Sequence, residues 1–183
     1  YFILVSGVSA SGKSTAARYL NSKLPNSIHI KMKDVSNELF KNSNSRQEKY
    51  MWMREQEQNN LYSFWFDFLV LSSVYGKGNR FIIMDTLHGV VAAKEMKKIL
   101  GERLSLLYID ASYRNRVSRE YSKLQAQGLK CTIDEVMERT QKKDKAKEKF
   151  GLSLLKQLPY TYVLNNDNSV FDFEKSLDDF SDL

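Results

Sequence analysis

The chain has 183 residues, of which 42% are hydrophobic and 12% aromatic, with a net charge of +6 and a single cysteine. This length suits one folded domain with a substantial core, and no apolar run approaches the length of a membrane span. A single cysteine, Cys131, forms no internal disulfide, which excludes a disulfide scaffold. It fits a reducing compartment, so we expect a cytoplasmic protein. Because no apolar run is long enough, we expect no membrane partner.

The first element is an apolar run, Tyr1–Val5, and a glycine-rich segment follows it directly. Gly7 and Gly12-Lys13-Ser14 fulfil the pattern G-x-x-x-x-G-K-[ST], and Thr15–Lys23 reads as a helix. Between a buried strand and a helix N-terminus, free backbone N–H groups and the positive end of the helix dipole both point at an anion. The motif therefore predicts a nucleoside triphosphate site rather than a chance glycine-rich turn.

Within this site the pattern assigns separate tasks to single residues. Lys13 is placed to touch the β- and γ-phosphates, and the Ser14 hydroxyl is placed to hold Mg²⁺. The predicted phosphate-binding residues are Gly7, Ser9, Ala10, Ser11, Gly12, Lys13, Ser14 and Thr15.

Strand-like apolar runs alternate with helix-like segments along the rest of the chain, which predicts an α/β protein with a parallel sheet in one domain, residues 1–183. The expected strands are Tyr1–Ser6, Ile28–Met32, Arg80–Asp85, Leu104–Asp110 and Tyr160–Asn165. The expected helices after the first are Asp34–Lys41, Arg46–Tyr75, Val90–Leu100, Tyr113–Gln127 behind Ser112, one from the capping box at Thr132, and one from Ser169. In such a sheet, ligand-binding residues lie at the carboxyl ends of the strands.

Two carboxylates occupy predicted strand ends. Asp85 ends the apolar run Phe81–Met84, where a carboxylate can hold Mg²⁺; the alternative is a cap of the next turn. Asp34 follows the second strand and can accept a hydrogen bond from an attacking hydroxyl or orient an acceptor phosphate. An N-cap for a helix over Val35–Phe40 explains Asp34 equally well.

Three arginines open the helix that follows Asp110. Arg116 and Arg119 are three residues apart and share a helix face, whereas Arg114 lies off it. Cations at a helix N-terminus oppose the macrodipole, so this placement favours a phosphate-binding role over a purely structural one.

Two further segments have competing interpretations. Leu61, Trp65 and Phe68 follow helical spacing, which favours core packing over stacking on a substrate base; Arg46 and Arg54 are nearby cations. The lysine-rich run from residue 140 to residue 149 is explained better by a solvated helix face than by a nucleic-acid patch, so nucleic acid is not expected as a partner.

Together these residues resemble the P-loop kinases of small molecules, namely the nucleoside monophosphate kinases and, more closely, dephospho-coenzyme A kinase and its relatives. The resemblance rests on the phosphate loop Gly7–Thr15, Asp34 after the second strand, Asp85 after the third, the R-x-x-R of Arg116 and Arg119 after the fourth, Arg139 near the end of the lid, and Asn166 after the last strand.

The resemblance implies an ATP- and Mg²⁺-dependent transfer of a γ-phosphate to a nucleotide-like acceptor, of the nucleoside monophosphate or dephospho-coenzyme A type. It implies a three-layer P-loop fold with five parallel strands in the order 2-3-1-4-5, an acceptor region over residues 34–75 and a mobile lid over residues 121–143. The implied catalytic residues are Lys13, Asp34, Arg116, Arg119 and Arg139, with Ser14 and Asp85 at the metal and Asn166 against the adenine.

Three departures from that pattern concern the acceptor, and the first is an acceptor region that is longer and more aromatic than expected for dephospho-coenzyme A kinase. Several relatives carry an arginine after the third strand, where this chain has Thr86-Leu87-His88, so His88 stands in its place. Relatives often carry an acid after the residue matching Arg139, and here that residue is Thr140.

Two other classes of function remain open at this stage. A nucleotide switch or ATPase would share the phosphate loop, but Asn165-Asn166-Asp167 lacks the lysine of an N-K-x-D motif and no L-S-G-G-Q stretch is present. A nucleic-acid end kinase is favoured by the basic charge and the aromatic residues.

Overall fold

Five parallel strands form one sheet in the order β2-β3-β1-β4-β5, which confirms the predicted order. The structure is a computed structural model that describes residues 1–39, 46–87 and 89–181; within these ranges the side chains of residues 36, 46–47, 49–50, 53–54, 56–57, 60–63 and 86–87 are not described. The strands are β1 (Phe2–Gly7), β2 (Ser27–Lys31), β3 (Phe81–Leu87), β4 (Leu104–Asp110) and β5 (Thr161–Asn165).

Helices cover both faces of the sheet and complete the predicted α/β architecture. They are α1 (Lys13–Lys23), α2 (Met32–Leu39), α3 (Arg46–Tyr75), α4 (Val90–Leu100), α5 (Tyr113–Ala126), α6 (Ile133–Glu148) and α7 (Val170–Ser181), with short 3-10 helices at Gly101–Arg103 and Ser153–Gln157.

The central strand β1 shows how the two layers are built. Phe2 and Leu4 face the core formed with α2, α3 and α4, whereas Ile3 and Val5 face the core formed with α1 and α7. Side chains alternate between the two faces of a strand, so a strand buried on both faces reads as a continuous apolar run. This explains the run of apolar residues at the start of the chain.

Many element boundaries differ from the prediction by one or two residues, and three of these differences lie at the predicted site. Helix α2 begins at Met32, directly after β2, so Asp34 lies inside its first turn and is not its N-cap. Strand β1 extends through Gly7, and strand β3 continues for two residues beyond Asp85. Neighbouring strands extend these ends, because Ser6 pairs with Leu87 and Gly7 pairs with Ile109.

The N-terminal caps of α5 and α6 were predicted correctly. Ser112 accepts the backbone N–H of Asn115 at the start of α5, and Thr132 and Glu135 form the capping box of α6. Helices α5 and α6 form a hairpin whose small core contains Val117, Leu124 and Val136. The predicted lid, residues 121–143, falls within this hairpin.

The aromatic part of α3 packs as its helical spacing predicted. Trp65 and Phe68 are buried, with exposed fractions of 1% and 0%, and pack at ring-centroid distances of 5.4 Å. Phe66 points outward and is 45% exposed, and the side chain of Leu61 is outside the described part of the chain. Across the described residues, we find no helix with the length and apolar character that crossing a bilayer requires.

Phe68→Ala should lower the free energy of unfolding by about 3–5 kcal/mol, because it leaves a cavity in a filled core. Phe66→Ala removes the same ring two positions away, from the solvent-facing side of α3, and should cost well under half as much. Urea unfolding of both variants measures the difference. Equal losses would contradict the packing of α3 described above.

Candidate active site

The loop between β1 and α1 forms a turn that only glycine accommodates at two positions. Gly7 has φ 137° and Gly12 has φ 104°. A Cβ atom at Gly7 would overlap the carbonyl oxygen of Ile109 in β4, and one at Gly12 would overlap the side-chain amide of Asn166. The predicted phosphate loop is thus present, and the missing side chains let neighbouring segments approach it.

The magnesium ligands predicted from the sequence lie together. Ser14 Oγ donates a hydrogen bond of 2.7 Å to Asp85 Oδ2, and this carboxylate is only 3% exposed. His29 Nε2 lies 3.2 Å from the other oxygen, Asp85 Oδ1, although the angle is outside the range of a well-formed hydrogen bond. A hydroxyl and a carboxylate are hard oxygen donors, so this pair fits Mg²⁺.

The charge of Asp85 is preserved in spite of its burial. Burial acts to raise the pKa of Asp85, but His29 and Ser14 beside the carboxylate, with the more distant charge of Lys31, hold the pKa below its usual value. An ionised carboxylate therefore stands beside the start of α1, as a metal-binding role requires.

Lys13 of the phosphate loop is influenced by a second lysine, Lys147 of α6. Lys13 is 8% exposed, and its Nζ donates to the carbonyl of Val8 at 2.5 Å. The half-buried Lys147 of α6 is near enough for its charge to act on Lys13. Burial, followed by the charge of Lys147, holds the pKa of Lys13 well below its usual range, and burial lowers the pKa of Lys147 to about 8. Lys147 is thus half-buried, whereas Lys142, Lys145 and Lys149 of the same run are exposed.

Asp144 of α6 joins the loop to the first predicted arginine. Its Oδ1 accepts the backbone N–H of Ser9 at 3.1 Å, and its Oδ2 accepts Arg116 Nη1 at 2.5 Å. Arg116 also donates to the carbonyls of Ser9, at 3.2 Å, and Ala111, at 3.1 Å. The buried guanidinium thus lies at the phosphate loop and is paired there with an aspartate.

Arg119 lies on the other side of the loop, beside the segment after β5. Its Nη2 donates to the carbonyl of Asn166 at 2.7 Å, and Asn166 Nδ2 donates to the carbonyl of Ser11 at 2.8 Å. Asp167 supports this segment by accepting the Ser112 backbone N–H, which with further donors lowers the pKa of Asp167 to about 2. Asn166 therefore contacts the phosphate loop, and Arg119 is oriented by Asn166.

Among the described residues, buried polar side-chain atoms that lack a well-formed hydrogen bond concentrate around this loop. Buried polar atoms are normally paired, so such atoms call for an explanation. Of six such side-chain atoms among the described residues, four are at the site: Ser9 Oγ, Ser11 Oγ, His29 Nε2 and Arg119 Nη1. Ser9 Oγ and Ser11 Oγ are hydroxyls of the loop itself, and they and the guanidinium N–H of Arg119 can donate hydrogen bonds to the oxygen atoms of a nucleotide.

Other predicted residues lie outside this cluster. Arg139 is exposed on α6, and Arg114 is exposed on α5. Asp34 is exposed on α2, and none of the described residues pairs with its carboxylate. Predictions on His88 and on the side chains of Arg46 and Arg54 fall outside the described part of the chain.

Three residues at the site were missed by the sequence interpretation: His29, Asp144 and Lys147. Asp144 and Lys147 are three positions apart, so they share a helix face, and this spacing was the available signal. His29 precedes the end of β2 by two residues, and its side chain reaches the buried carboxylate of the adjacent strand β3.

Comparison with known proteins establishes the fold. No protein-family profile matches the chain, and no curated protein matches it by sequence. Shikimate kinase from Acinetobacter baumannii, solved in complex with shikimate, superposes with a TM-score of 0.56 at 14% identity, over 98% of this chain and 92% of that one. Shikimate kinase from Bacteroides thetaiotaomicron gives a TM-score of 0.54 at 14% identity, over 99% and 96%.

A solved structure that is not a shikimate kinase also superposes on this chain. The tunicamycin resistance protein of Deinococcus radiodurans superposes with a TM-score of 0.52 at 13% identity, over 100% of this chain and 96% of that one. The shared architecture is the three-layer α/β fold with five parallel strands and a phosphate loop after the first strand, and identities this low leave the activity to be argued from the site.

The lowered pKa of Lys147 should make stability depend on pH. Its value of about 8 in the folded protein lies below the usual 10.5, so between these values the unfolded chain binds more protons and stability rises with pH. Nearby charges act both ways, because Asp144 raises this pKa while Lys143 and Arg116 lower it. Relative to Lys147→Met, the protein should gain on the order of 1 kcal/mol between pH 7.5 and 9.5 after solvent screening.

Urea unfolding of both proteins at the two pH values measures this gain. A pH dependence identical in the two proteins would show that Lys147 is fully solvated.

Proposed function

We propose that this protein is an ATP-dependent kinase that transfers the γ-phosphate to a small-molecule acceptor. The observation that carries the proposal is the hydrogen bond between Ser14 and the buried carboxylate of Asp85 beside the phosphate loop, in which Lys13 is also buried. The charge of Lys147 in α6 acts on Lys13 as well. Two buried or half-buried ammonium groups repel each other unless an anion lies between them, and a hydroxyl with an ionised carboxylate suits the metal that accompanies such an anion. The fold shared with two shikimate kinases supports the same conclusion.

In the proposed reaction the protein contributes positioning and charge rather than covalent chemistry. Lys13 and the loop amides bind the β- and γ-phosphates, and Arg116 balances charge on the transferring group. Arg119 acts beside Asn166, on the base side of the loop. Arg139 reaches the phosphates after movement of the hairpin. Ser14 and Asp85 would hold Mg²⁺, which would supply positive charge to the phosphate oxygens.

Asp34 is the proposed acceptor-site residue. It lies in the first turn of α2, immediately after β2, and its exposed carboxylate has no described partner that would compete with a substrate. A carboxylate in this position can accept the proton of an attacking hydroxyl or orient a phosphate acceptor. The proposed kinase works in the cytoplasm, the compartment expected from the single cysteine.

We propose a nucleotide-like acceptor, of the nucleoside monophosphate or dephospho-coenzyme A type. Trp52 packs edge-on against buried Phe64 of the same helix at a centroid distance of 5.6 Å but is itself only half-buried, so part of this residue is exposed within residues 34–75, the proposed acceptor region. Because shikimate was solved bound to a protein of this fold, shikimate belongs among the acceptors to be tried.

The first experiment measures ADP release from Mg·ATP with dephospho-coenzyme A, nucleoside monophosphates, nucleosides, shikimate and a 5′-hydroxyl oligonucleotide. Lys13→Met should lower turnover with the best acceptor by roughly 10²-fold or more, because it removes a preorganised phosphate contact. Lys23→Met, an exposed lysine at the end of the same helix, is the matched control and should retain full turnover. Hydrolysis independent of every acceptor would instead indicate a nucleotide-driven switch, and preference for the oligonucleotide would indicate a nucleic-acid end kinase.

Asp34→Asn should lower kcat by roughly 10²-fold while leaving the Kd for ATP within about twofold, because the amide cannot accept the proton. Steady-state kinetics with the identified acceptor and calorimetric titration of ATP separate these two effects. Loss of ATP affinity alone would assign Asp34 a structural role in α2.

A further inference from the structure

Asp144 makes two contacts that a phosphate group would make. Its carboxylate accepts the backbone N–H of Ser9 in the phosphate loop and pairs with the guanidinium of Arg116, at 3.1 Å and 2.5 Å. A backbone amide of the phosphate loop and a guanidinium are both donors that favour anionic oxygens. An internal carboxylate therefore holds two donors of the proposed nucleotide site.

Lys147 follows Asp144 by three positions and lies on the same face of α6. Its charge acts on Lys13, whose ammonium group donates to the carbonyl of Val8. The face of α6 that meets the loop thus presents one anion and one cation. The anion pairs with donors of the loop, whereas the cation stands beside another cation.

We propose that Asp144 is an internal substitute for a nucleotide phosphate, and that Lys147 binds the phosphates together with Lys13 once they displace Asp144. This inference rests on the proposed function. Displacement of Asp144 also releases Arg116 from its ion pair, so the guanidinium becomes available to the transferring group only when a nucleotide is bound. The α5–α6 hairpin would thereby couple occupancy of the loop to completion of the catalytic site.

Because Asp144 already occupies the donors of Ser9 and Arg116, removing its negative charge should increase the affinity for polyphosphate. Asp144→Asn keeps the size of the side chain but removes the competing charge, so polyphosphate binding should become tighter by about fivefold or more. Lys147→Met keeps an apolar stem but removes the ammonium, so binding should weaken by about tenfold. Lys145→Met, at an exposed position of the same helix, is the matched control and should change nothing.

The measurement is calorimetric titration of the full chain with inorganic triphosphate, which needs neither an acceptor nor turnover. Thermal unfolding of each ligand-free variant is recorded in parallel. Lys147→Met should bind triphosphate more weakly without unfolding at a lower temperature, whereas loss of a structural lysine would lower both. Should Asp144→Asn fail to fold, Asp144→Ser provides the same loss of charge with a smaller side chain.

Weaker or unchanged binding by folded Asp144→Asn would overturn the proposal, as would unchanged binding by Lys147→Met. Lys13→Met separates this failure from failure of the proposed function. If Lys13→Met loses triphosphate binding while the α6 variants behave like the unaltered protein, the nucleotide site stands and only the role of α6 is wrong. If the unaltered protein does not bind triphosphate, both proposals fail.

Discussion

The approach of Lys13 and Lys147 is the unfavourable interaction on which the rest of the site depends. Two ammonium groups removed from water repel each other, and burial alone makes each charge costly. The surroundings hold them in place. Lys13 is fixed by the carbonyl of Val8, and α6 is fixed to the loop through Asp144. Local instability of this kind is typical of sites prepared for a ligand of opposite charge.

The same loop receives support from the opposite end of the chain. Asn166 reaches the carbonyl of Ser11 across the space left by Gly12, and it also receives Arg119 through its own carbonyl. A residue after the last strand therefore stabilises the first turn of the chain. In the proposed nucleotide site, this contact connects Asn166, the residue proposed to lie against the base, to the phosphate loop. The contact is possible only because Gly12 has no side chain.

The fold was largely predictable from the sequence, and the site only in part. The phosphate loop was identified because its chemistry is local, and Asp85 because strand ends in a parallel sheet converge. Asp144 contacts Ser9 over a separation of 135 residues, and the lysines around it resemble a solvated helix face. Local patterns do not encode which face of α6 meets the loop. The start of α2 was misplaced because strand and helix follow each other without a turn residue.

That direct junction has a geometric consequence for the chain's evolution. Each residue of an α-helix turns the next side chain by about 100° and advances it by about 1.5 Å. Because β2 ends at Lys31 and α2 begins at Met32, the direction of Asp34 is set by the register of β2 against β3. Each residue inserted between Lys31 and Met32 would therefore rotate the Asp34 carboxylate by about 100° around the axis of α2 relative to the sheet.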